Sequence, residues 1–175
     1  MIFKLFQPKA HNELINRLHG EIVAAARDPI LFTEYGIQDN LDGRFDVLAL
    51  HASLVLRHLH RRGSQAQGLA QDLTDALFQS FDSGLRETGL GDSALCKRMR
   101  SLAGDFLGRA MAYDKALEAG PVQLLAALSR NVYEGSGDPA RLARYVEAAD
   151  RALADMPLDL FKFGPLPFPR PSAIT

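Results

Sequence analysis

The chain has a single cysteine, Cys96, in 175 residues. No disulfide can form within it, and a cysteine-rich zinc site is excluded. Net charge is nearly absent, at −1 with the histidines neutral. No global field therefore draws the chain to nucleic acid or anionic lipid, and any such attraction must come from a local patch. No apolar run approaches the roughly 20 residues that span a bilayer. The opening MIFKLFQPKAH lacks the long apolar segment of a secretory leader and the Arg/Ser-rich character of a transit peptide, so the expected location is the cytoplasm. Alternation of apolar and polar residues never lasts, and β-branched residues are sparse, which leaves no strand signal. H-E-x-x-H, H-x-x-x-H and G-x-S-x-G are all absent.

What is present is helical period. Hydrophobic residues make up 47% and charged residues 23%, a globular balance in a chain long enough for one core without disulfide or metal. Apolar residues recur at helical spacing over about 11–26, and Asp28-Pro29 stops that helix and opens a short one. Asn40-Leu41-Asp42-Gly43 reads as a turn. A long helix follows to about 62, apolar on two faces and therefore central, stopped by His60-Arg61-Arg62-Gly63. Further helices are expected over about 66–88, 92–119, 122–133 and 139–155. No internal repeat is visible. The expected fold is an all-α, single-domain bundle of six to eight helices. Residues 1–9 form a flexible arm, 10–156 the helical domain, and 157–175 a Pro-rich tail that is extended or mobile rather than core.

The stretch RETGLGDSALCKRM at 86–99 suggests a phosphate loop, but no strand precedes it and no P-loop lysine follows. A turn is the simpler reading: Gly89 at positive φ, then Asp92 or Ser93 capping the next helix. Cations cluster around it, with Arg86, Lys97, Arg98, Arg100 and Arg109 outnumbering Glu87, Asp92 and Asp105. Phe106, Arg109 and Tyr113 form a ladder on one helix side. An arginine in an apolar ladder must pair or snorkel; Asp46, Glu87 and a helix carboxyl end are candidate partners, and a protein partner is the alternative. His51 and His58 share a face, but ~10.5 Å of rise separates them, too far to ligate one metal together. They read as core or interface residues. Cys96 sits in a first helical turn beside cations, which lowers a thiol pKa, yet nothing around it resembles a nucleophile's machinery. The basic stretches 57–62 and 97–100 are candidates for RNA contact, with a solvated helix face as the plainer account.

Two segments carry a resemblance. LDGRFDVLALHASLVLRHL at 41–59 and LRETGLGDSALCKRMRSLAGDFLGRAMAYDKAL at 85–117 resemble, in order and spacing, motifs of the ubiquinol–cytochrome c chaperone family. Leu41 replaces an aromatic, Leu90 a valine, and Cys96 a valine-like or polar residue, while every charged motif residue is kept. The resemblance spans about residues 11–155. It implies an all-helical bacterial protein with no catalysis and no cofactor. It further implies a chaperone that holds newly made cytochrome b during assembly of the cytochrome bc1 complex. The surface it implies for client or partner comprises Arg44, Asp46 and His51 on the central helix, and Arg86, Glu87, Gly89 and Asp92 at the turn. Leu95, Lys97, Met99, Phe106, Arg109 and Tyr113 complete it on the fifth helix. The ribosome is a further expected partner, residues 1–9 offer a weak membrane-surface contact at the inner face of the cytoplasmic membrane, and DNA is not expected. An RNA- or ribosome-binding module and a haem- or quinone-binding protein are the alternatives.

Overall fold

The computed structural model describes residues 7–87, 89 and 91–175, with the backbone alone for Gln7 and Pro8. Eight helices follow one another among the described residues: α1 (Gln7–Ala26), α2 (Pro29–Thr33), α3 (Leu41–Arg61), α4 (Gln67–Glu87), α5 (Asp92–Ala119), α6 (Pro121–Val132), α7 (Ala140–Asp155) and α8 (Leu158–Phe163). Two short 3-10 turns, Gly63–Gln65 and Pro171–Ala173, complete the order. The all-α reading holds, and the boundaries of α3 to α7 fall close to those the periodicity gives. Three local expectations need correction.

The first concerns Asn40–Gly43, which is the capped start of α3 and not a turn. Asn40 Oδ1 accepts from Gly43 N at 2.8 Å and supplies one of the bonds a helix start lacks. Gly43 is needed there for space, since a Cβ would stand 2.0 Å from the Gln38 carbonyl oxygen. The second is at the amino terminus. Gln7–Lys9 already belong to α1, while MIFKLF, which carries the expected membrane contact, lies outside the described residues. The third is the tail.

Residues 157–175 are packed onto the bundle. Phe161 on α8 is fully buried, and Leu166 and Pro171 are buried further along. The five prolines after Met156 stop helix propagation, but they also remove N–H groups that burial would otherwise have to satisfy. The strap keeps more carbonyls than N–H groups, and the bundle offers donors for several of them. Arg17 on α1 donates to the carbonyls of Phe161 and Gly164. The Tyr35 hydroxyl donates to Pro171 O at 2.8 Å, and Arg141 Nε to Ile174 O at 2.7 Å. The Leu166 N–H finds Glu21 Oε2 at 2.7 Å.

At the centre lies α3, buried without interruption from Ala49 to Leu59 and in contact with α1, α4, α5, α6 and α7. Both of its apolar faces are used, as the sequence pattern requires. Leu69, Leu73 and Leu77 of α4 present a four-residue ridge to the core. Phe78 and Phe81 of α4 meet Phe106 of α5 with ring centroids 5.5 and 6.5 Å apart, and Phe45 of α3 lies 5.6 Å from Phe81. These rings join three helices beneath the region where the two sequence motifs converge.

One polar residue of α3 illustrates what the core demands. His51 is fully buried. Its Nδ1 is 2.8 Å from Val47 O, and its Nε2 is 2.8 Å from the Tyr145 hydroxyl. A carbonyl can only accept, so Nδ1 carries the proton and Tyr145 donates to Nε2. His51 therefore cannot be a surface contact for a client; it is a satisfied core histidine, with Phe168 of the tail edge-on at 5.0 Å.

Candidate functional site

The two motif segments come together in space where the start of α3 meets the middle of α5. Arg109 Nη2 on α5 stands 2.7 Å from Asp46 Oδ1 on α3, and its guanidinium lies over the Phe45 ring at 5.4 Å. The arginine in the apolar ladder is thus paired, with the first of the expected partners. Asp46 Oδ1 and Arg109 Nε are both buried, and Arg109 Nε has no hydrogen-bond partner of its own. Beside them, the buried Tyr113 hydroxyl and the Asn131 amide interact with each other.

Asp46, Arg109 and Asn131 line a cleft of about 260 Å³ between α3, α5 and the end of α6. Four carboxylates, Asp42, Asp46, Asp105 and Glu134, face three guanidiniums, Arg98, Arg109 and Arg130. Arg98 reaches Asp42 at 3.8 Å, a loose pair between exposed groups. Burial pushes the Asp46 carboxyl up to about 6, against the opposing charge of Arg109. Burial, reinforced by the Asp46 charge, also raises the Tyr113 hydroxyl well above its ordinary value, so it stays neutral. Glu134, at the rim, has φ +49°, a left-handed backbone that costs a non-glycine residue about 1–2 kcal/mol.

The structure divides the thirteen expected site residues into three groups. Asp46 and Arg109 come together at the cleft, with Tyr113 buried beside them. Leu95, Phe106 and His51 are buried and cannot touch a client without unfolding, which corrects their assignment to a surface; Tyr113 is likewise buried and its ring does not project. Arg44, Arg86, Glu87, Gly89, Asp92 and Lys97 are exposed, and Met99 is half-buried. Arg44 pairs with Asp39 at 2.6 Å and Arg86 with Asp82 at 2.6 Å. Gly89 has the positive φ expected, +74°, while Thr88 and Leu90 of that turn lie outside the described residues. Neither Asp92 nor Ser93 caps α5: Gly91 is the cap residue, and Asp92 lies in the first turn, where its charge complements the helix dipole.

Sequence reasoning missed Asn131 and Glu134, which carry no local signal because only the fold brings the end of α6 to α3. It also misread the basic stretch 57–62. Arg57 is buried and bonded to Asp114, with Asp150 Oδ1 3.2 Å from its Nε; the same Asp150 oxygen is 2.7 Å from His58 Nε2. That cation is consumed inside the bundle and is not available to RNA. A signal existed: Arg57 lies in mid-helix among apolar residues on two faces, a place where a charge needs a partner. Among the described residues there is no group of three His, Cys, Asp or Glu placed to hold a metal, and no helix long and apolar enough to cross a membrane.

Two buried titratable groups set opposite pH dependences. Burial pushes His51 down to about 4. The unfolded chain takes that proton first, so stability falls as pH drops from 6.5 toward 4. Asp46 works the other way: the folded state takes its proton near 6 and the unfolded chain only near 3.8, so stability rises as pH drops through that window. Two units are worth about 3 kcal/mol, reduced to roughly 1–2 kcal/mol by solvent screening at the cleft mouth. The Asp46→Asn variant should therefore lose stability relative to the parent between pH 7 and pH 4. Urea unfolding at the two pH values checks this; a difference that does not change with pH would contradict it.

Together the fold and site define an all-α bundle in which a D-G-R-F-D segment on α3 is clasped to a G-R-x-x-A-Y segment on α5 by an acid–arginine pair. The chain belongs to the ubiquinol–cytochrome c chaperone family, whose model matches residues 33–168. It is similar in structure to the Cbp3 homolog from Brucella abortus, with 32% sequence identity, full coverage of both chains and a TM-score of 0.89. No curated protein matches the chain. The family match runs into the tail, in keeping with a strap that is part of the folded unit.

Proposed function

We propose that this protein is a non-catalytic assembly chaperone of the cytochrome bc1 complex that holds newly made cytochrome b. Family membership supports the chaperone role. The observation that carries the holding surface is the outward face of α5. Leu107 and Met111, one turn apart, are 56% and 59% exposed. Gly104 and Gly108 lie on the same side, and a Cβ added at either would meet nothing within 4 Å. Glycines four apart let another helix approach closely, and methionine adapts to varied apolar partners. A client made of apolar helices offers the matching surface. The exposed charges at the neighbouring turn, Arg86, Glu87, Asp92 and Lys97, extend this face and set the register of docking.

This reading moves the apolar contact from Leu95 and Phe106, which the core uses, to Leu107 and Met111. Leu107→Asp with Met111→Asp tests it. Both side chains are exposed, so the melting temperature should be retained. Capture of cytochrome b after mild crosslinking in the native host should fall at least tenfold, about 1.4 kcal/mol. Undiminished capture by a folded double variant would remove α5 from the role.

A further inference from the structure

The outward side of α5 carries a pattern that is complementary to itself. Lys97, Arg100, Gly104, Leu107, Met111, Asp114 and Glu118 follow one another at alternating steps of three and four, the spacing that keeps a seam facing a partner helix. This seam lies opposite the buried stripe of Leu95, Leu102, Phe106 and Tyr113. Its middle is apolar, with Leu107 and Met111 more than half exposed, and its two ends differ in charge. Lys97 and Arg100 are exposed and form no ion pair among the described residues. At the other end, Asp114 and Glu118 bond Arg57 and Arg61 of α3 through one oxygen each, Oδ1 and Oε1, and both side chains stay about half exposed.

A second α5 laid antiparallel, with a two-fold axis between residues 107 and 108, meets this pattern. Met111 of each copy stands over Gly104 of the other, and Leu107 over Gly108. A Cβ at either glycine would meet nothing within 4 Å, so each glycine leaves a socket for the side chain opposite. At the ends, Lys97 faces Glu118, and Arg100 faces Asp114, with Lys115 beside it as the one unfavourable neighbour. The axis makes every contact twice. A parallel pair would instead set Lys97 against Lys97 and Glu118 against Glu118. We propose that two copies of this chain associate through α5 in this antiparallel register. The consequence for function rests on the client-holding reading above. Leu107 and Met111 cannot serve a second copy and a client at once, so the dimer masks the holding face and a client displaces one copy.

Sedimentation equilibrium of the full chain over a concentration series should show a monomer–dimer equilibrium. Lys97→Glu and Glu118→Lys should each weaken it at least tenfold, since each puts like charges at both ends of the seam. An equal mixture of the two variants should restore it, because both ends of the mixed dimer then hold opposite charges. Gly104→Leu fills a socket without touching its own chain. It should also weaken association at least tenfold, and it keeps the test open should Glu118→Lys not fold. A parent that stays monomeric, or a dimer indifferent to all three substitutions, would overturn the proposal; neither result bears on client capture, which sedimentation does not measure. For the masking, Gly104→Cys and Met111→Cys are combined in a Cys96→Ser background. The two thiols lie ~10.5 Å apart along one helix, too far to join within a chain, so an oxidised dimer reports the register, and failure to crosslink would overturn it. That dimer should capture at least tenfold less cytochrome b than the same protein reduced. Equal capture would overturn the masking and move the client off α5, with the sedimentation result still deciding the dimer.

Discussion

Deleting residues 157–175 should unfold the bundle, or leave it melting far below the intact chain. The tail places Phe161 in the core with no exposed surface, and buries Leu166 and Pro171 beside it. Phe161→Ala alone removes a fully buried aromatic over which the Arg62 guanidinium sits at 4.7 Å. Such a truncation costs about 3–5 kcal/mol, which for a domain of this size lowers Tm by roughly 6–20 °C. The deletion adds the loss of Phe168 against His51 and strands the donors of Arg17, Tyr35 and Arg141. Its effect should exceed that of Phe161→Ala. Thermal unfolding followed by circular dichroism compares the three proteins. If the deleted chain melts with the intact one, the tail is an appendage after all.

The second large effect is expected at Asp150. One oxygen of this carboxylate, Oδ1, serves two buried side chains at once, Arg57 and His58. Burial alone would raise its pKa, but His58 and Arg57 outweigh it and hold the carboxyl below the usual range. It is therefore ionised at neutral pH. In Asp150→Ala the Arg57 guanidinium, 6% exposed, keeps Asp114 but loses the Asp150 carboxylate, and His58 Nε2 loses its hydrogen-bond partner. Removing one member of a buried ion pair costs about 3–5 kcal/mol, because the remaining charge stays desolvated. The neighbouring Arg61–Glu118 pair sits at 2.7 Å between side chains 48% and 59% exposed. Arg61→Ala should cost under about 1 kcal/mol, since solvent already screens that pair. Chemical denaturation of both variants checks the contrast. Similar losses at the two positions would mean that the Arg57 network is as solvated as the surface pair.

These two sites differ in how visible they are along the chain. Arg57 in mid-helix among Val55, Leu56 and Leu59 signals a need for partners, since a charge cannot be buried alone. Which acids answer it depends on α5 and α7 arriving beside α3, 57 and 93 residues away in sequence. The tail is misleading in the opposite direction. Its prolines and glycine describe backbone conformation well, an irregular strap with no long helix. They say nothing of whether that strap is covered, because coverage depends on donors carried by α1, the Tyr35 segment and α7.

The same division runs through the candidate site. Helical period placed α3 at the centre, and the apolar ladder on α5 required Arg109 to find a charge. Both follow from local rules: the repeat of 3.6 residues and the cost of an unpaired cation. Asp46 was one of several possible partners until the fold brought α3 and α5 together. The amide of Asn131 and the carboxylate of Glu134 had no reason to be singled out, since their chemistry matters only where α6 ends. Leu95, Phe106 and His51 sit in motif segments, yet motif membership does not say which face of a helix is outward. On α5 the inner face went to the aromatic cluster with α4, leaving Leu107 and Met111 outside. Secondary structure in this protein is set by spacing within each segment, which is a property of neighbours in the chain. The cleft, the buried Arg57 network and the docked tail are set by contacts between separate elements, such as Asp46 with Arg109, Arg57 with Asp150 and Arg17 with Phe161, and only the packing of the helices against one another selects those.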